Sequence, residues 1–178
     1  RSGNILAVGY RASRIAKVFQ LVNNIWIQIG SDIGQAQTIN FGRYLSISGD
    51  GNKLIVGSYN TLETYEWNGY SWQNINQTIN LNNIHQIELN YFGDRFVASA
   101  HSGNHFSTTF ASVWFQDSTS WSQLGSNILS NNPSNYTFAE SIDIDSTGNR
   151  IVIGSPDAYA SNSGYFEVYE YTNSNWLQ

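Results

Sequence analysis

Four pairs of polar and aromatic residues recur at one point of a repeating pattern, and their side chains are of kinds that bind ligands. Tyr and His offer a ring with a polar edge, while Asn, Asp and Arg hydrogen-bond to hydroxyl or charged groups. Each pair follows an apolar stretch that predicts a second strand, so all four loops are expected on one face of the fold. The pattern predicts a ligand-binding face, with generic polar loops as the alternative, formed by Tyr10 and Arg11, Tyr59 and Asn60, His101 and Asn104, and Asp157 and Tyr159.

The stretch around Asp143 and Asp145 is the nearest approach to a calcium-binding loop in the sequence. Calcium takes about six to eight oxygen ligands, whereas this stretch offers two carboxylates. Asp143 also alternates with Ile142 and Ile144, which have the character of core residues. The matching stretch 48–51 offers one carboxylate. A tight hairpin turn explains both stretches, and the sequence predicts no metal and no cofactor.

The sequence also offers few sets of residues that could act together in catalysis. The three histidines are His85, His101 and His105, and the last two share one predicted loop, where a spacing of four imposes no helical register. Solvent-exposed loop histidines are therefore the simpler interpretation. The motifs of α/β-hydrolases, zinc proteases and P-loop proteins do not occur. Paired carboxylates at matching points of the repeat are also missing, and the sequence predicts that the chain is not an enzyme.

Two N-glycosylation sequons occur, at Asn76 and Asn135. Both lie at or after a predicted fourth strand, which is a surface position. They predict glycosylation only for a chain that passes through a eukaryotic secretory pathway or its viral equivalent.

A fourfold repeat positions all of these residues. One frame, with Gly first, Asn or Asp next and an apolar run after them, occurs four times: at 3–9, 51–57, 93–99 and 148–154. A Trp closes each unit, and an aromatic residue precedes it by seven positions. The closing residues are Trp26, Trp72, Trp121 and Trp176, and the preceding aromatics are Phe19, Tyr65, Trp114 and Tyr169. A period of roughly 40–50 residues with four strands per unit is typical of a β-propeller blade.

The repeat predicts an all-β propeller of four four-stranded blades with about fifteen strands. The repeats span approximately 1–40, 41–83, 84–137 and 138–178. Phe19, Tyr65, Trp114 and Tyr169 are expected at equivalent core positions between sheets, and the run 151–153 is expected as a strand buried on both faces. The first unit begins after its first strand, so the chain is out of phase with its repeat. This predicts a slice of a larger propeller, with a self-contained four-bladed ring as the alternative.

Composition narrows the range of partners. Charged residues make up 12% of the chain, and the net charge is −5, against the usual quarter of charged residues. No basic footprint exists, so nucleic acid is not an expected partner. No apolar run approaches the length of a membrane span, so membrane insertion is not expected either. The chain has no cysteine and therefore no disulfide, and its uncharged polar surface resembles that of secreted or particle-surface proteins.

The repeat resembles the FG-GAP-like, integrin-type propeller repeats, in the variety that lacks the calcium loop. The closing segments Trp26–Gly30 and Trp121–Gly125 match it, as do Phe41-Gly42, Ser46, Ser48, Asp50-Gly51-Asn52 and Gly57 in the second repeat and Phe138, Asp143, Gly148-Asn149, Gly154, Val168-Tyr169 and Trp176 in the fourth. The resemblance covers essentially the whole chain and implies a propeller architecture. It is poor for function, because propellers support many activities.

These observations together predict a non-catalytic structural or adhesive interaction propeller at an extracellular, cell-surface or virion surface. The expected partners are other protein chains or further repeats of the same protein. The alternative is a lectin-like module that binds glycans through the loops after each second strand. A hydrolase is the third candidate and is disfavoured by the missing catalytic motifs.

Overall fold

The computed structural model describes residues 3–34, 38–102, 109–118, 120–130, 137–156 and 164–178, without the side chains of 76 and 77. The described residues form seventeen β-strands and no helix. None of them therefore forms a helix long and apolar enough to cross a membrane.

The strands form four antiparallel sheets, which follow one another along the chain. Sheet A contains β1 (Ile5–Tyr10), β2 (Ile15–Val22), β3 (Ile25–Gln28) and β4 (Ile33–Gly34). Sheet B contains β5 (Tyr44–Ile47), β6 (Lys53–Gly57), β7 (Thr61–Trp67) and β8 (Trp72–Asn80). Sheet C contains β9 (Ile84–Leu89), β10 (Arg95–His101), β11 (Thr109–Asp117), β12 (Ser120–Gln123) and β13 (Ile128–Leu129). Sheet D contains β14 (Ser141–Ile144), β15 (Arg150–Ser155), β16 (Tyr165–Thr172) and β17 (Asn175–Leu177).

The core consists of apolar layers between consecutive sheets. Leu54 of sheet B packs with Val18 of sheet A, and Ile55 of sheet B packs with Phe96 of sheet C. A third layer joins Val113 of sheet C to Ile153 of sheet D. Sheets B and C thus each bury one face against the preceding sheet and the other against the following sheet, because alternate residues of a strand point to opposite faces. This radial stacking confirms the predicted propeller architecture.

The four aromatic residues that precede the closing Trp occupy one register position. The cross-strand pairs that contain them are Leu6 with Phe19, Leu54 with Tyr65, Phe96 with Trp114, and Ile151 with Tyr169. Tyr65 and Tyr169 are buried, whereas Phe19 and Trp114 are half-buried. The predicted equivalence of the four positions is confirmed, although their burial differs.

The outward faces of sheets A and D are exposed. Leu6 on sheet A and Phe166 and Val168 on sheet D are all accessible to solvent. The four sheets therefore form an open arc, as expected for a slice of a larger propeller, and not a closed four-bladed ring. The prediction that 151–153 is buried on both faces is wrong at Val152, because that residue lies on the exposed face of sheet D.

The first hairpin of each complete repeat is held by one side chain. Ser48, Asn90 and Asp145 occupy equivalent positions in sheets B, C and D. Each accepts a hydrogen bond from the backbone N–H five residues later, at 3.0, 3.0 and 3.1 Å. A turn side chain that accepts from the backbone satisfies donors that the short loop leaves unpaired. The repeated Gly three positions after it adopts a positive φ in every case.

The carboxylate of Asp145 accepts more hydrogen bonds than either of the other two turn side chains. Its oxygens accept from the Thr147 hydroxyl at 2.8 Å and from the backbone N–H of Asn149 and Arg150. Partial burial alone would raise the pKa of Asp145, but these hydrogen bonds outweigh burial and hold the pKa below its usual range. The folded chain therefore stabilises the ionised carboxylate of Asp145 relative to the unfolded chain.

We expect Asp145→Asn to be less stable than the wild type at pH 7 and to approach it as the pH falls. A depressed folded-state pKa contributes stability above the unfolded value of about 3.9, and this contribution is lost as the pH falls through the folded value. Asn should keep the turn itself, since Asn90 fills the same position in sheet C. Urea unfolding of both proteins between pH 7 and pH 2 measures the difference. A gap between the two proteins that stays constant over this range would contradict the assignment.

Candidate functional site

The first strands of sheets B, C and D lie side by side at the centre of the arc. β5 neighbours β9, and β9 neighbours β14. Each of these strands is the edge of its sheet, so one row of its backbone groups faces away from its own sheet. The inner strands therefore line the region where a propeller has its central channel. The backbone N–H and C=O groups on their free edges need hydrogen-bond partners from outside their own sheet.

Side chains of the preceding sheet satisfy those edge groups. The Ser46 hydroxyl of β5 accepts from the Leu89 N–H at 2.9 Å and donates to a Glu88 carboxylate oxygen at 3.0 Å. Gln86 of β9 accepts from the Ile142 N–H at 3.2 Å and donates to the Ile142 carbonyl at 3.3 Å. The inner wall is therefore held by fixed polar contacts, which is the kind of rigid support that a binding or catalytic site requires.

A cavity of about 310 Å³ opens on this wall. Sheets A, B and C all contribute to it, through Gly9, the segment 42–45 and the segment 86–88. It contains a guanidinium, a phenol, an amide and a carboxylate, all from half-buried side chains: Arg43, Tyr44, Gln86 and Glu88. A small ligand with oxygen substituents would meet both charge signs and neutral hydrogen-bonding groups here.

Arg43 is held in place by two aromatic rings. Its Nε donates to the Tyr44 hydroxyl at 2.7 Å, and its guanidinium lies 5.2 Å from the Tyr44 ring centre and 4.3 Å from the Tyr59 ring centre. The hydrogen bond to Tyr44 raises the pKa of Arg43, so the group stays cationic throughout the neutral range. A stacked guanidinium is pre-oriented, which favours recognition of a carboxylate, a phosphate or a developing oxyanion.

The segment before Arg43 approaches sheet A so closely that glycine is required. A Cβ added to Gly9 would lie 2.0 Å from the Gly42 carbonyl oxygen, and one added to Gly42 would lie 2.6 Å from the Ile15 carbonyl oxygen. Gly42 also has a φ of +78°, which favours glycine. Phe41 anchors the same segment in the core. The Phe-Gly dipeptide that opens the second repeat thus lies in close contact with sheet A and fixes the backbone at Arg43, which directly precedes β5.

Two histidines of sheet C, His85 on β9 and His101 on β10, are in contact. The Nε2 atoms of His85 and His101 lie 2.6 Å apart, and the ring centres lie 4.4 Å apart in an edge-to-face arrangement. His101 is buried at the end of β10, and its Nδ1 has no hydrogen-bond partner among the residues that the structure describes. A buried nitrogen without an acceptor favours the tautomer in which His101 carries its proton on Nε2 and donates it to His85. The interpretation of His101 as a solvent-exposed loop residue is therefore wrong.

The predicted ligand-binding residues are distributed over this face. Tyr59 joins Arg43, and Arg11 donates to the Asn40 side chain at 2.7 Å. Asn60 accepts from the Asn83 backbone at 3.1 Å, which links two loops. Tyr10 is exposed at the end of β1. Outside the described residues lie Asn104, Asp157, Tyr159 and the sequon residue Asn135, while Asn76 lies in β8 without a described side chain.

Sequence reasoning missed Arg43, Tyr44, Gln86 and Glu88. Tyr44 and Gln86 are equivalent in the repeat frame, and Glu88 is equivalent to Ser46 and Asp143. A signal existed for three of them, because Tyr44, Gln86 and Glu88 alternate with the apolar residues of their first strands and must therefore face away from those residues. Arg43 directly precedes β5, and no such alternation marks it. Within the described chain, no group of three or more His, Asp or Glu side chains is placed to hold a metal ion.

A larger cavity of about 520 Å³ borders sheet D, where Ser141, Gly154 and Phe166 line it. Its described lining comes from this one sheet and the segments next to it, on the exposed outward face. The smaller cavity is the better candidate site, because three sheets build it and it brings opposite charges together.

No protein-family model and no curated protein matches the sequence. Solved structures match its fold closely. A protein named provisionally as a 6-phosphogluconolactonase from Bacteroides uniformis has a TM-score of 0.66 at 14% identity, over 94% of this chain and 47% of that chain. The periplasmic gluconolactonase of Pseudomonas aeruginosa has a TM-score of 0.66 at 12% identity, over 99% and 50%. Hydrazine synthase of Kuenenia stuttgartiensis has a TM-score of 0.60 at 15% identity, over 94% and 47%.

The fold is that of a β-propeller. At these identities the likeness shows the fold alone, and the chain spans about half the length of the propellers it matches. The resemblance to FG-GAP-like repeats stays a prediction, as do the extracellular or virion location and the expected partners.

The comparison corrects the predicted function. Two of these propellers carry lactonase names, and a further one, from Bacteroides fragilis, is provisionally named as a 6-phosphogluconolactonase at 14% identity. The expectation of a non-catalytic structural or adhesive propeller is therefore wrong, and so is the lectin-like alternative. The physical reason is that a propeller assembles its site from separate blades, so the absence of a continuous catalytic motif does not exclude catalysis.

Proposed function

We propose that this chain is part of a propeller hydrolase that opens a small sugar lactone. The observation that carries the proposal is that Glu88 and Arg43, a carboxylate and a guanidinium residue that are both half-buried, line the same cavity on the inner wall. The lactonase names of the structural neighbours support it. Glu88 lies on β9 and Arg43 directly precedes β5, and the stack of sheets holds these two first strands side by side.

Hydrolysis of a lactone needs a base, a stabiliser of negative charge and a proton donor. A water oxygen adds to the carbonyl carbon while the Glu88 carboxylate takes the water proton. The carbonyl oxygen becomes an oxyanion, which the Arg43 guanidinium stabilises. The ring C–O bond then breaks, and the protonated Glu88 returns its proton to the departing ring oxygen. The product is the open-chain hydroxy acid, and atoms and charges balance without a co-reactant.

The surroundings of the two groups suit these roles. The Ser46 hydroxyl donates to Glu88 at 3.0 Å and fixes the position of the carboxylate. The Tyr44 hydroxyl accepts from Arg43, so its own proton is available to a sugar hydroxyl of the substrate. Partial burial lowers the local dielectric and strengthens the pull of Arg43 on the developing oxyanion.

An assay with two lactones tests the proposal directly. We expect the 178-residue chain to accelerate ring opening of glucono-1,5-lactone or of its 6-phosphate above the spontaneous rate, as measured by acid release in a pH-stat. A stronger response to the phosphorylated lactone would show that the site also recognises the phosphate group. A chain that is folded by circular dichroism and leaves both rates at the buffer value would refute the proposed activity.

A further inference from the structure

The outward face of sheet D carries an exposed apolar patch. Val152, Phe166 and Val168 lie on its two central strands and are exposed by 36%, 73% and 48%. Val152 and Val168 are cross-strand partners, so the three side chains form one patch. Single exposed apolar residues are common, but a contiguous patch on a sheet face marks a contact surface.

The equivalent faces of sheets B and C show what such a face packs against. The residues equivalent to Val152, Phe166 and Val168 are Ile55, Leu62 and Thr64 in sheet B, exposed by 1%, 0% and 3%. In sheet C they are Val97, Ala111 and Val113, all exposed by 0%. In both sheets the following blade covers them. The face of sheet D therefore has the same construction as two buried faces, and no sheet of the described residues covers it.

Sheet A carries the complementary surface. Leu54, Phe96 and Ile151 occupy one repeat position and are buried against the preceding blade. Their counterpart in sheet A is Leu6, which is exposed by 43%. Trp26 is likewise exposed, while its counterparts donate their indole N–H to the preceding blade. Those indoles belong to Trp72, Trp121 and Trp176, with acceptors at 3.2, 3.2 and 2.8 Å.

A second set of contacts identifies the same missing neighbour. The repeat glycines Gly51, Gly93 and Gly148 each lie against a side chain of the preceding blade, where an added Cβ would come within 2.7, 2.9 and 2.5 Å of Ile5, Lys53 and Arg95. An added Cβ on Gly3, the equivalent glycine of sheet A, would meet no atom of the described chain within 4 Å. The residue that corresponds to Ile5, Lys53 and Arg95 in sheet D is Arg150.

Arg150 is exposed on the rim of the sheet D face. It pairs only with Glu170 of its own sheet in the described chain, at 3.2 Å between two mostly exposed side chains. Such a surface pair contributes little and is easily exchanged. Its counterpart Arg95 instead donates to the Gly148 carbonyl of the next blade at 3.1 Å. Arg150 is thus in position to make the same bond to a glycine carbonyl that belongs to a following blade.

We propose that the outward face of sheet D binds the outward face of sheet A of a second copy of this chain, head to tail. The same polypeptide carries both halves of the contact, and each half repeats an interface that already exists three times within the chain. Arg150 of one copy would reach Gly3 of the other, and the patch of Val152, Phe166 and Val168 would cover Leu6. This contact is independent of the proposed lactonase activity.

Two copies can close on themselves. A heterologous contact generates a ring if its rotation closes and an open chain if it does not. Each copy covers 47–50% of the length of the propellers that it resembles, so two copies supply about one propeller of chain. Eight blades lie within the usual range of four to eight. We therefore expect a closed pair and not a filament.

Sedimentation velocity over a range of chain concentrations tests the contact. The wild type is expected to sediment as a pair. Phe166→Asp and Leu6→Asp should each weaken association by about 100-fold or more, because each would bury an unpaired carboxylate. Tyr70→Asp is the matched control, since Tyr70 is 89% exposed in a turn away from both faces and should leave association unchanged. Circular dichroism checks that each variant is folded.

Mixing the two variants gives the sharpest result. Phe166→Asp keeps an intact sheet A face and Leu6→Asp keeps an intact sheet D face, so an equal mixture should form 1:1 pairs through one unaltered contact. A pair formed by two sheet D faces would be lost in Phe166→Asp, kept in Leu6→Asp and not restored on mixing, and would overturn the proposal. A wild type that stays monomeric at high concentration would overturn it too. So would a longer polypeptide whose added repeats cover the face and abolish pairing.

Discussion

Replacing Glu88 by Gln is expected to reduce the kcat of lactone opening by about 10²–10⁴-fold, the usual contribution of a general base. Gln keeps the size of the side chain and an oxygen that can accept from the Ser46 hydroxyl, so the inner wall should remain intact. What is lost is the negative charge that removes the water proton. Because the carboxylate acts mainly in the transition state, KM should change much less than kcat.

Two further variants serve as a surface control and as a test of the second proposed catalytic residue. Glu66→Gln removes a carboxylate from the exposed surface of β7 and should leave the rate unchanged. Arg43→Gln removes the cation but keeps a polar side chain, and should lower kcat/KM by about 10²–10³-fold if the guanidinium stabilises the oxyanion. A Glu88→Gln enzyme that retains most of its activity would move the base elsewhere. The contacting His85 and His101 would then be the next residues to replace.

The architecture could be predicted from the sequence because the repeat encodes it redundantly. A frame such as 148–154 places a turn, a polar pair and a buried strand in a fixed order, and four occurrences leave few other folds. Equivalent positions were also predictable, as Tyr65 and Tyr169 demonstrate by their shared register. What failed was burial on the last sheet. Val152 has the sequence of a doubly buried strand residue, and only the absence of a covering blade in the structure exposes it.

The candidate site was beyond sequence reasoning for a different reason. Arg43 and Glu88 are separated by about one repeat, and nothing local marks either of them as a partner of the other. Both line one cavity because Arg43 directly precedes β5, and β5 lies beside β9 in the folded chain. Catalytic motifs are local in sequence, whereas these two residues are brought together only by the fold. The loop residue Tyr59 was found because loops after the second strand share a face, and its ring does lie against the Arg43 guanidinium.

Phe96→Ala is expected to lower the free energy of unfolding by about 3–5 kcal/mol, the range for truncating a buried aromatic ring. Phe96 is fully buried in the layer between sheets B and C. Its ring is parallel to that of Trp114, at 6.0 Å between centres, and meets the edge of Trp121 at 4.9 Å. Truncation removes all three contributions at once: the apolar burial, the ring contacts and the filling of the space between two blades.

The position of Trp121 explains why the layer should not collapse to fill the space. Its indole N–H donates across the interface to the Thr64 hydroxyl of sheet B at 3.2 Å, which fixes the ring beside the vacated volume.

A loss of this size corresponds to a melting point about 6–20 °C lower in a chain of this length. Phe92→Ala is the matched control, because Phe92 is exposed in a turn of the same repeat and its removal should change stability by less than about 0.5 kcal/mol. Both melts should be recorded at one low protein concentration, since association of copies stabilises the folded state. If Phe96→Ala melts within a degree or two of the control, the layer between sheets B and C is not the packed core that holds β5 beside β9.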